Sequence, residues 1–369
     1  MPGFELIGKE EQEAVKKIFD DGGILFAHGF EKLRRNFHIR EFETMVANHF
    51  NCSHSLAVSS GTAAIKVALK ALGVKPGDEV ITSAFGWVIT ANAISSCGAT
   101  PVFADVGPDF NIDIFSIEKC INRRTKAIVP VHYAGHMCDM DAICSLAADQ
   151  NLVVVEDAAQ AFGASLGIRK AGSFSTAASF SMNPMKVLGG YGEGGVVVTN
   201  DRSIYGLLRQ LRHAGTTSDP KKIITNDCRI VSLNHKMDTI NAALLLVALE
   251  YLPAKIALRQ SIAKRYDDEL PETIVKQKRQ PQETHGRYVY PIKTEQRNEL
   301  KLYLESSGIE SKIMHEPLIC DAPVYKELLG DVPVARETLA SSLILPSHEG
   351  MSEQQITHVI RTVQSFYSV

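Results

Sequence analysis

The chain opens with two stretches, 10–19 and 39–50, whose apolar residues recur at near-helical spacing. From residue 55 onward the rhythm changes, and short apolar runs alternate with longer amphipathic ones. Strands are predicted at 55–58, 80–83, 101–104, 127–131, 152–155, 177–182 and 196–199. The clearest helix between them is opened by Ser60-Gly61-Thr62 and carries Ala64, Val67, Ala68, Ala71 and Leu72 on one face. Such alternation predicts an α/β fold with a mostly parallel sheet covered by helices, and ligands held outside the carboxyl ends of its strands. A helix at 204–213 is followed by a polar stretch, 216–229, that reads as an exposed loop. Residues 237–252 are apolar over some four turns and predict a buried or subunit-interface helix, which Pro253 ends. Beyond it come a charged helix to residue 270, a Gln-rich stretch 276–286, strands at 288–292 and 310–314, and a helix at 296–306. A final helix follows Met351, with Ser352 and Gln355 as a capping box and Ile356, Val359, Ile360, Val363 and Phe366 on one face. The organisation expected is a large domain over 1–253 and a smaller α+β domain over 254–369.

Composition narrows the classes. A chain of 369 residues, 45% hydrophobic and 22% charged, can bury a sizeable core without disulfides or metal staples. Its seven cysteines include no C-x-x-C pair, as suits a reducing compartment. A formal charge of −3 with scattered Lys and Arg offers no footprint for nucleic acid. The first twenty residues carry five acidic side chains and no apolar core, unlike a signal peptide, and no later apolar run is read as long enough to span a membrane. A cytoplasmic protein without membrane or nucleic-acid partners is expected.

The stretch with the most chemistry is SFSMNPMKVLGGYGEGGVVVT, residues 179–199, which sets Lys186 on a turn between two predicted strands. Gly190, Gly192 and Gly195 fit G-x-G-x-x-G, but a strand rather than a helix follows, which rejects a dinucleotide fingerprint, and no G-K-[ST] makes it a phosphate loop. A lysine is ordinarily a solvated cation. One that bonds pyridoxal phosphate needs an acid for the ring nitrogen, a flat side chain for the ring and donors for the phosphate. Candidates for all three lie upstream. Ser60-Gly61-Thr62 places unpaired N–H groups and a hydroxyl at a helix N-terminus, as a phosphate site or a simple cap. Trp87, the single tryptophan, follows a strand and is either core or a stacking surface. Asp157 ends the strand 152–155 within VVVEDAAQAFG, where a buried carboxylate requires a positive partner unless it caps a helix. His132 and His136 stand four apart, but Gly135 between them argues against a helix aiming both at one metal, and none is expected.

Taken together, Ser60-Gly61-Thr62, WVITANA from Trp87, EDAAQAFGA at 156–164, SFSMNPMK before GEGG, and LNHKMD at 233–238 resemble the DegT/DnrJ/EryC1/StrS aminotransferases over roughly residues 25–350. The resemblance implies the pyridoxal-phosphate-dependent transferase fold type I, with a mostly parallel seven-stranded sheet, helices on both faces and a smaller α+β C-terminal domain. It implies Lys186 as the residue that bonds the cofactor, Asp157 on the pyridine nitrogen, Gln160 near the ring oxygen and Trp87 on the ring face. Gly61, Thr62 and Ser181 would bind the phosphate, Asn183 would stand on the cofactor side, and Asn234 would reach the phosphate of the partner subunit in a homodimer. Arg212, His213, Lys236 and His315 are candidates for substrate contact. The amino donor implied is L-glutamate, and the acceptor a keto-deoxysugar carried on a nucleoside diphosphate, for an amino sugar of a surface glycan or secondary metabolite. Asn183, Lys236 and Glu316 depart from residues frequent in the family and bear on the acceptor. Two alternatives stand beside this reading. One is a sugar dehydratase on the same fold, whose family members carry histidine at the lysine position. The other is a non-catalytic sugar-binding or regulatory protein.

Overall fold

The computed structural model describes residues 8–25, 36–217, 226–328 and 330–368. Helices α1 (Lys9–Asp20) and α2 (His38–Phe50) lead into β1 (His54–Val58), α3 (Gly61–Ala71), β2 (Glu79–Ser83), α4 (Ile89–Ser95) and β3 (Thr100–Ala104). There follow α5 (Ile114–Cys120), β4 (Thr125–Val129), α6 (Met140–Asp149), β5 (Val153–Asp157), a small hairpin of β6 (Ser165–Leu166) and β7 (Arg169–Lys170), then β8 (Ala177–Ser181), β9 (Gly195–Thr199) and α7 (Arg202–Arg212).

Seven strands form one sheet in the order β1-β9-β8-β5-β4-β2-β3. Only β9 runs against its neighbours, β1 and β8, and the other pairings are parallel. Both faces are buried, so successive residues of one strand feed two different cores. Ala57, Ile81, Ile128, Val154 and Ala178 pack on one side with Phe42 and Phe50 of α2, Ile117 of α5 and Ile143 of α6. Leu56, Val80, Ala127, Val155 and Ala177 pack on the other with Ala64, Val67 and Ala68 of α3 and Leu208 of α7. This double burial is why the strands read as continuous apolar runs rather than as alternating ones. Parallel β5 and β8 pair Asp157 with Ser179, so the ends of both strands reach the same carboxyl edge.

The helix expected to stop at Pro253 does not. It is one element, α8 (Thr239–Glu269), that passes through the proline. Ala242, Leu245 and Leu252 of its first half belong to the core around α2, whereas Ile262, Ala263 and Tyr266 of its second half belong to a separate C-terminal core. Pro253 is exposed, so water can take the carbonyl that its missing N–H leaves without a donor, and packing at both ends outweighs the local cost. An 18-residue window of α8 has a mean hydropathy of 1.5, which corrects the expectation that no run is long and apolar enough to cross a membrane. In the fold this helix packs against α1 and α2.

The C-terminal part adds β10 (Val275–Lys276), β11 (Glu283–Thr284), β12 (Tyr290–Lys293), α9 (Arg297–Ser306), α10 (Pro333–Ser341), β13 (Ser342–Leu345) and α11 (Glu353–Tyr367). Strands β10 and β13 flank β12 antiparallel. The strand expected at 310–314 is reduced to one bridge, Lys312 to Ile344, because the chain leaves the sheet at His315, where φ is 65°. The capping box of α11 forms as expected, with the Ser352 hydroxyl accepting from Gln355 N. Of the polar loop at 216–229, residues 218–225 lie outside the described residues. Its ends are paired, Thr217 N donating to Asp227 O.

Candidate active site

Lys186 stands on an irregular turn between β8 and β9, pinned at several points. Met182 N donates to Gly194 O and Gly190 N to Met182 O, both at 2.8 Å, which closes the base of the turn. Asn183 organises its tip. Its carbonyl accepts from Lys186 N at 2.8 Å, its Oδ1 from Met185 N at 3.0 Å, and its Nδ2 donates to Glu193 Oε1 at 2.8 Å. A Cβ on Gly190 would lie 2.8 Å from Asn241 Oδ1, so α8 approaches this turn as closely as backbone allows. The glycine run thus serves close packing. The Lys186 amine rests over the ring of Tyr288, 4.2 Å from its centroid.

Asp157 ends β5 with 4% of its surface exposed. Its Oδ2 accepts from Thr90 Oγ1 at 2.7 Å and its Oδ1 from Ala159 N at 3.1 Å, and no cation is among these partners. Burial pushes its carboxyl above the ordinary value, with the Thr90 hydroxyl, Ala159 N and the nearby Lys186 charge working the other way. No regular helix follows it, which removes the simple N-cap reading. Its neighbour Glu156 is different. Fully buried, it accepts from Gly172 N, Phe174 N, Ser175 N, the Ser175 hydroxyl and His132 Nε2, and these bonds hold it below the usual value against burial. His132 and His136 are likewise taken by carboxylates, Glu156 for the first and Asp109 and Glu283 for the second.

The third side of the site is the N-terminus of α3. Ser60 caps it, its hydroxyl accepting from Ala63 N at 3.1 Å. A Cβ on Gly61 would fall 2.8 Å from that of Ser181, and one on Gly195 only 2.3 Å from Ser60 O. The end of β8, the start of β9 and the helix N-terminus are therefore packed into one backbone-lined cradle, with Thr62 beside it. Gln160, buried, accepts from Ala134 N at 2.8 Å through its Oε1.

Trp87 is not core: it is 59% exposed at the strand end, its ring 6.3 Å from that of His315. His315 also meets Phe85 edge-on at 6.0 Å and Tyr133 at 5.6 Å. Both its ring nitrogens are buried without a hydrogen-bond partner. Burial and then the Lys186 charge push its imidazole down to about 3, so the ring is neutral across the physiological range. A left-handed backbone on a non-glycine residue, and orphaned ring nitrogens, are features that gather at ligand sites.

The remaining candidates separate. Arg212 is an interior residue: its guanidinium pairs with Glu43 and donates to Ala57 O at 3.1 Å, because it falls on the buried face of α7. This corrects its expected place as a substrate contact. His213 and Asn234 are exposed and bridge through their backbones, and Lys236 Nζ lies 3.4 Å from His213 Nδ1. Sequence reasoning missed Thr90, Tyr133 and Tyr288. Thr90 was within reach, being one helical turn past Trp87 in WVITANA. Tyr288 lies in the bend just before β12, about one hundred residues downstream of Lys186, and carries no local signal.

These residues fit pyridoxal phosphate on their own evidence. A buried carboxylate that forms no ion pair suits a protonated ring nitrogen, and a helix N-terminus packed too tightly at Gly61 for any side chain, with N–H groups left open, suits a phosphate. Fold and site define a pyridoxal-phosphate-dependent aminotransferase of fold type I. Residues 7–364 match the DegT/DnrJ/EryC1/StrS aminotransferase family, and the chain belongs to it. It is 36% identical to a pleiotropic regulatory protein of Geobacillus stearothermophilus over 89% of each chain, and 35% identical to the GDP-perosamine synthase of Caulobacter vibrioides over 87% of this chain and 88% of that one. Among solved structures it resembles DesV of S. venezuelae, with a TM-score of 0.90, 31% identity, and coverage of 98% of this chain and 95% of that one.

Proposed function

We propose that the protein transfers an amino group from L-glutamate to a keto-deoxysugar carried on a nucleoside diphosphate, within the cytoplasm, as a step toward an amino sugar. The observation that carries this reading is Lys186, whose charge reaches the buried Asp157, a carboxylate bonded to Thr90 and Ala159 and without an ion pair among the described residues. Relatives named for GDP- and dTDP-sugar products support the acceptor class. Bound pyridoxal phosphate supplies an aldehyde for the amino group and a ring that draws electrons from the donor's α-carbon. Lys186 would hold that aldehyde and, once free, its Nζ would take the donor's α-proton and return it. Asp157 would keep the ring nitrogen protonated, Trp87 would cover the ring face, Gln160 would donate to the ring oxygen, and Gly61, Thr62 and Ser181 would hold the phosphate. Asn183 acts from the same turn, through its bonds to Met185 N and Glu193. His315, neutral and aimed at the site, pairs with an uncharged polar group of the substrate, and His213 and Lys236 lie toward the acceptor.

A homodimer completes the site in this reading, with Asn234 reaching the phosphate of the partner subunit. Val231 and Leu233, 85% and 61% exposed, precede it, and two thirds of the apolar window of α8 is left unburied, as a self-complementary interface requires. The regulatory protein among the relatives favours one second reading, a non-catalytic homologue. Lys186 and Asp157 argue against it, since binding a sugar needs neither.

Visible absorption before and after L-glutamate, with borohydride trapping and peptide mass analysis, tests the donor half. The expected result is a cofactor band that converts on glutamate and traps on Lys186. Coupled glutamate turnover over a panel of nucleotide-linked keto-sugars tests the acceptor, and turnover with none of them would favour the regulatory reading. Gly61→Ala is expected to weaken cofactor binding about tenfold, because its methyl group would meet the Ser181 side chain at 2.8 Å and open the cradle. Equilibrium titration with pyridoxal phosphate measures this, and an unchanged affinity would place the phosphate elsewhere.

A further inference from the structure

Tyr288 belongs to none of the motifs, yet its ring lies against the reacting atom of Lys186. We propose that Tyr288 is a catalytic residue whose ring face seats the Lys186 amine whenever that amine is not bonded to the cofactor. This inference rests on Lys186 being the cofactor lysine.

The surroundings leave the amine little else. Asp157 feels its charge but is bonded to Thr90 Oγ1 and Ala159 N, and among the described residues no carboxylate forms an ion pair with Lys186. His315, pushed down to about 3 by burial and the same charge, offers no anion. A half-buried ammonium without a carboxylate needs a partner, and the negative face of an aromatic ring is one.

The backbone that carries the ring is held from both sides. Tyr288 is 7% exposed, its N donates to Ala134 O at 3.0 Å, and its carbonyl accepts from Arg259 Nη1 at 2.9 Å. Arg259 is fixed in turn by Glu349 Oε2 at 2.8 Å and by the carbonyls of Arg287 and Ser347. Ala134 N donates to Gln160, so the seat and the cofactor side share one frame.

A ring suits this task better than a carboxylate. The flexible lysine chain must stay within reach between half-reactions, and a dock removes the entropy of searching for it. A carboxylate would hold the ammonium firmly and disfavour the neutral amine that must attack and take a proton. A ring holds the ammonium modestly and releases the amine once it has given up its proton.

The test uses the full chain and three replacements: Tyr288→Leu, Tyr288→Phe, and trifluorophenylalanine introduced at the position by codon suppression. The last keeps the size of the ring and removes the negative charge of its face, so it remains informative if the leucine variant fails to fold. In cofactor-free protein, labelling of Lys186 by acetic anhydride is followed against pH by peptide mass analysis. Leucine and the fluorinated ring are expected to move that curve to lower pH by about half to one unit, and to lower kcat of the loaded enzyme about tenfold. Phenylalanine, which keeps the face, is expected to keep the wild-type labelling curve. A fluorinated variant that labels like wild type, or a phenylalanine variant that shifts as far as leucine, would overturn the proposal. Borohydride trapping of the wild-type protein separates the two failures. Trapping on Lys186 with an unmoved labelling curve sinks the role of Tyr288 alone, whereas trapping on another lysine sinks the assignment of Lys186.

Discussion

Lys186→Ala is expected to lower the rate of amino transfer by at least about 10⁴-fold while leaving the fold intact. The loss is large because, in the proposed reaction, one atom, Nζ, would do two jobs: bond the cofactor aldehyde and carry the proton between donor and cofactor. No neighbour replaces it. His315 is neutral and stays so down to about pH 3, and the Asp157 carboxylate is committed to Thr90 and Ala159. The fold is spared because Lys186 is half-buried, forms no ion pair among the described residues, and is held in its turn by backbone bonds that alanine retains. Single-turnover absorbance with glutamate measures the effect, and added methylamine is expected to recover part of the rate by standing in for the missing amine. A loss below tenfold would mean that another residue moves the proton.

Asp157→Asn is expected to separate rate from stability. With the carboxylate gone the ring nitrogen loses its counter-charge, and the rate should fall roughly 10²- to 10³-fold, the usual consequence of breaking a buried charge pair. Without cofactor the sign reverses. Burial holds the Asp157 carboxyl above its ordinary value, so the folded chain binds that proton more tightly than the unfolded chain does. Its contribution to stability therefore falls as pH rises from the ordinary carboxylate value through the raised one, and at neutral pH the charged group costs the cofactor-free protein stability. Asparagine is neutral at every pH and can keep both the Thr90 and Ala159 bonds. Cofactor-free Asp157→Asn should be more stable than wild type at pH 7, by about 1 kcal/mol, with the difference vanishing in acid. Urea unfolding at the two pH values, with and without pyridoxal phosphate, checks this. A variant less stable at pH 7 without cofactor would show that the carboxylate already has a cationic partner in the protein.

The site was legible where chemistry is written into short stretches. Ser60-Gly61-Thr62, EDAAQ and the lysine-glycine segment each bring their residues to a strand end or a helix start, and periodicity alone locates those ends. Arg212 shows the limit. Near the end of the predicted helix it stood as a candidate for substrate contact, but the rotation of α7 turns it inward onto Glu43, and one residue of helical phase decides that. Pro253 shows another. A proline is a strong local signal to stop, yet α8 passes through it because two separate cores hold its halves.

By itself the sequence determined the α/β alternation, the seven strands and the family, and it offered the lysine with its acid and phosphate donors as candidates. Those follow from spacing within one element or from contiguous motifs, where the backbone leaves few choices. Only the tertiary structure decided that Asp157 is buried and bonded to Thr90 and Ala159 and not to a cation, that Trp87 lies open beside an unpartnered His315, and that Tyr288 lies under the Lys186 amine. These depend on packing between elements more than sixty residues apart, and no periodicity along the chain encodes which side chain meets which across such a gap.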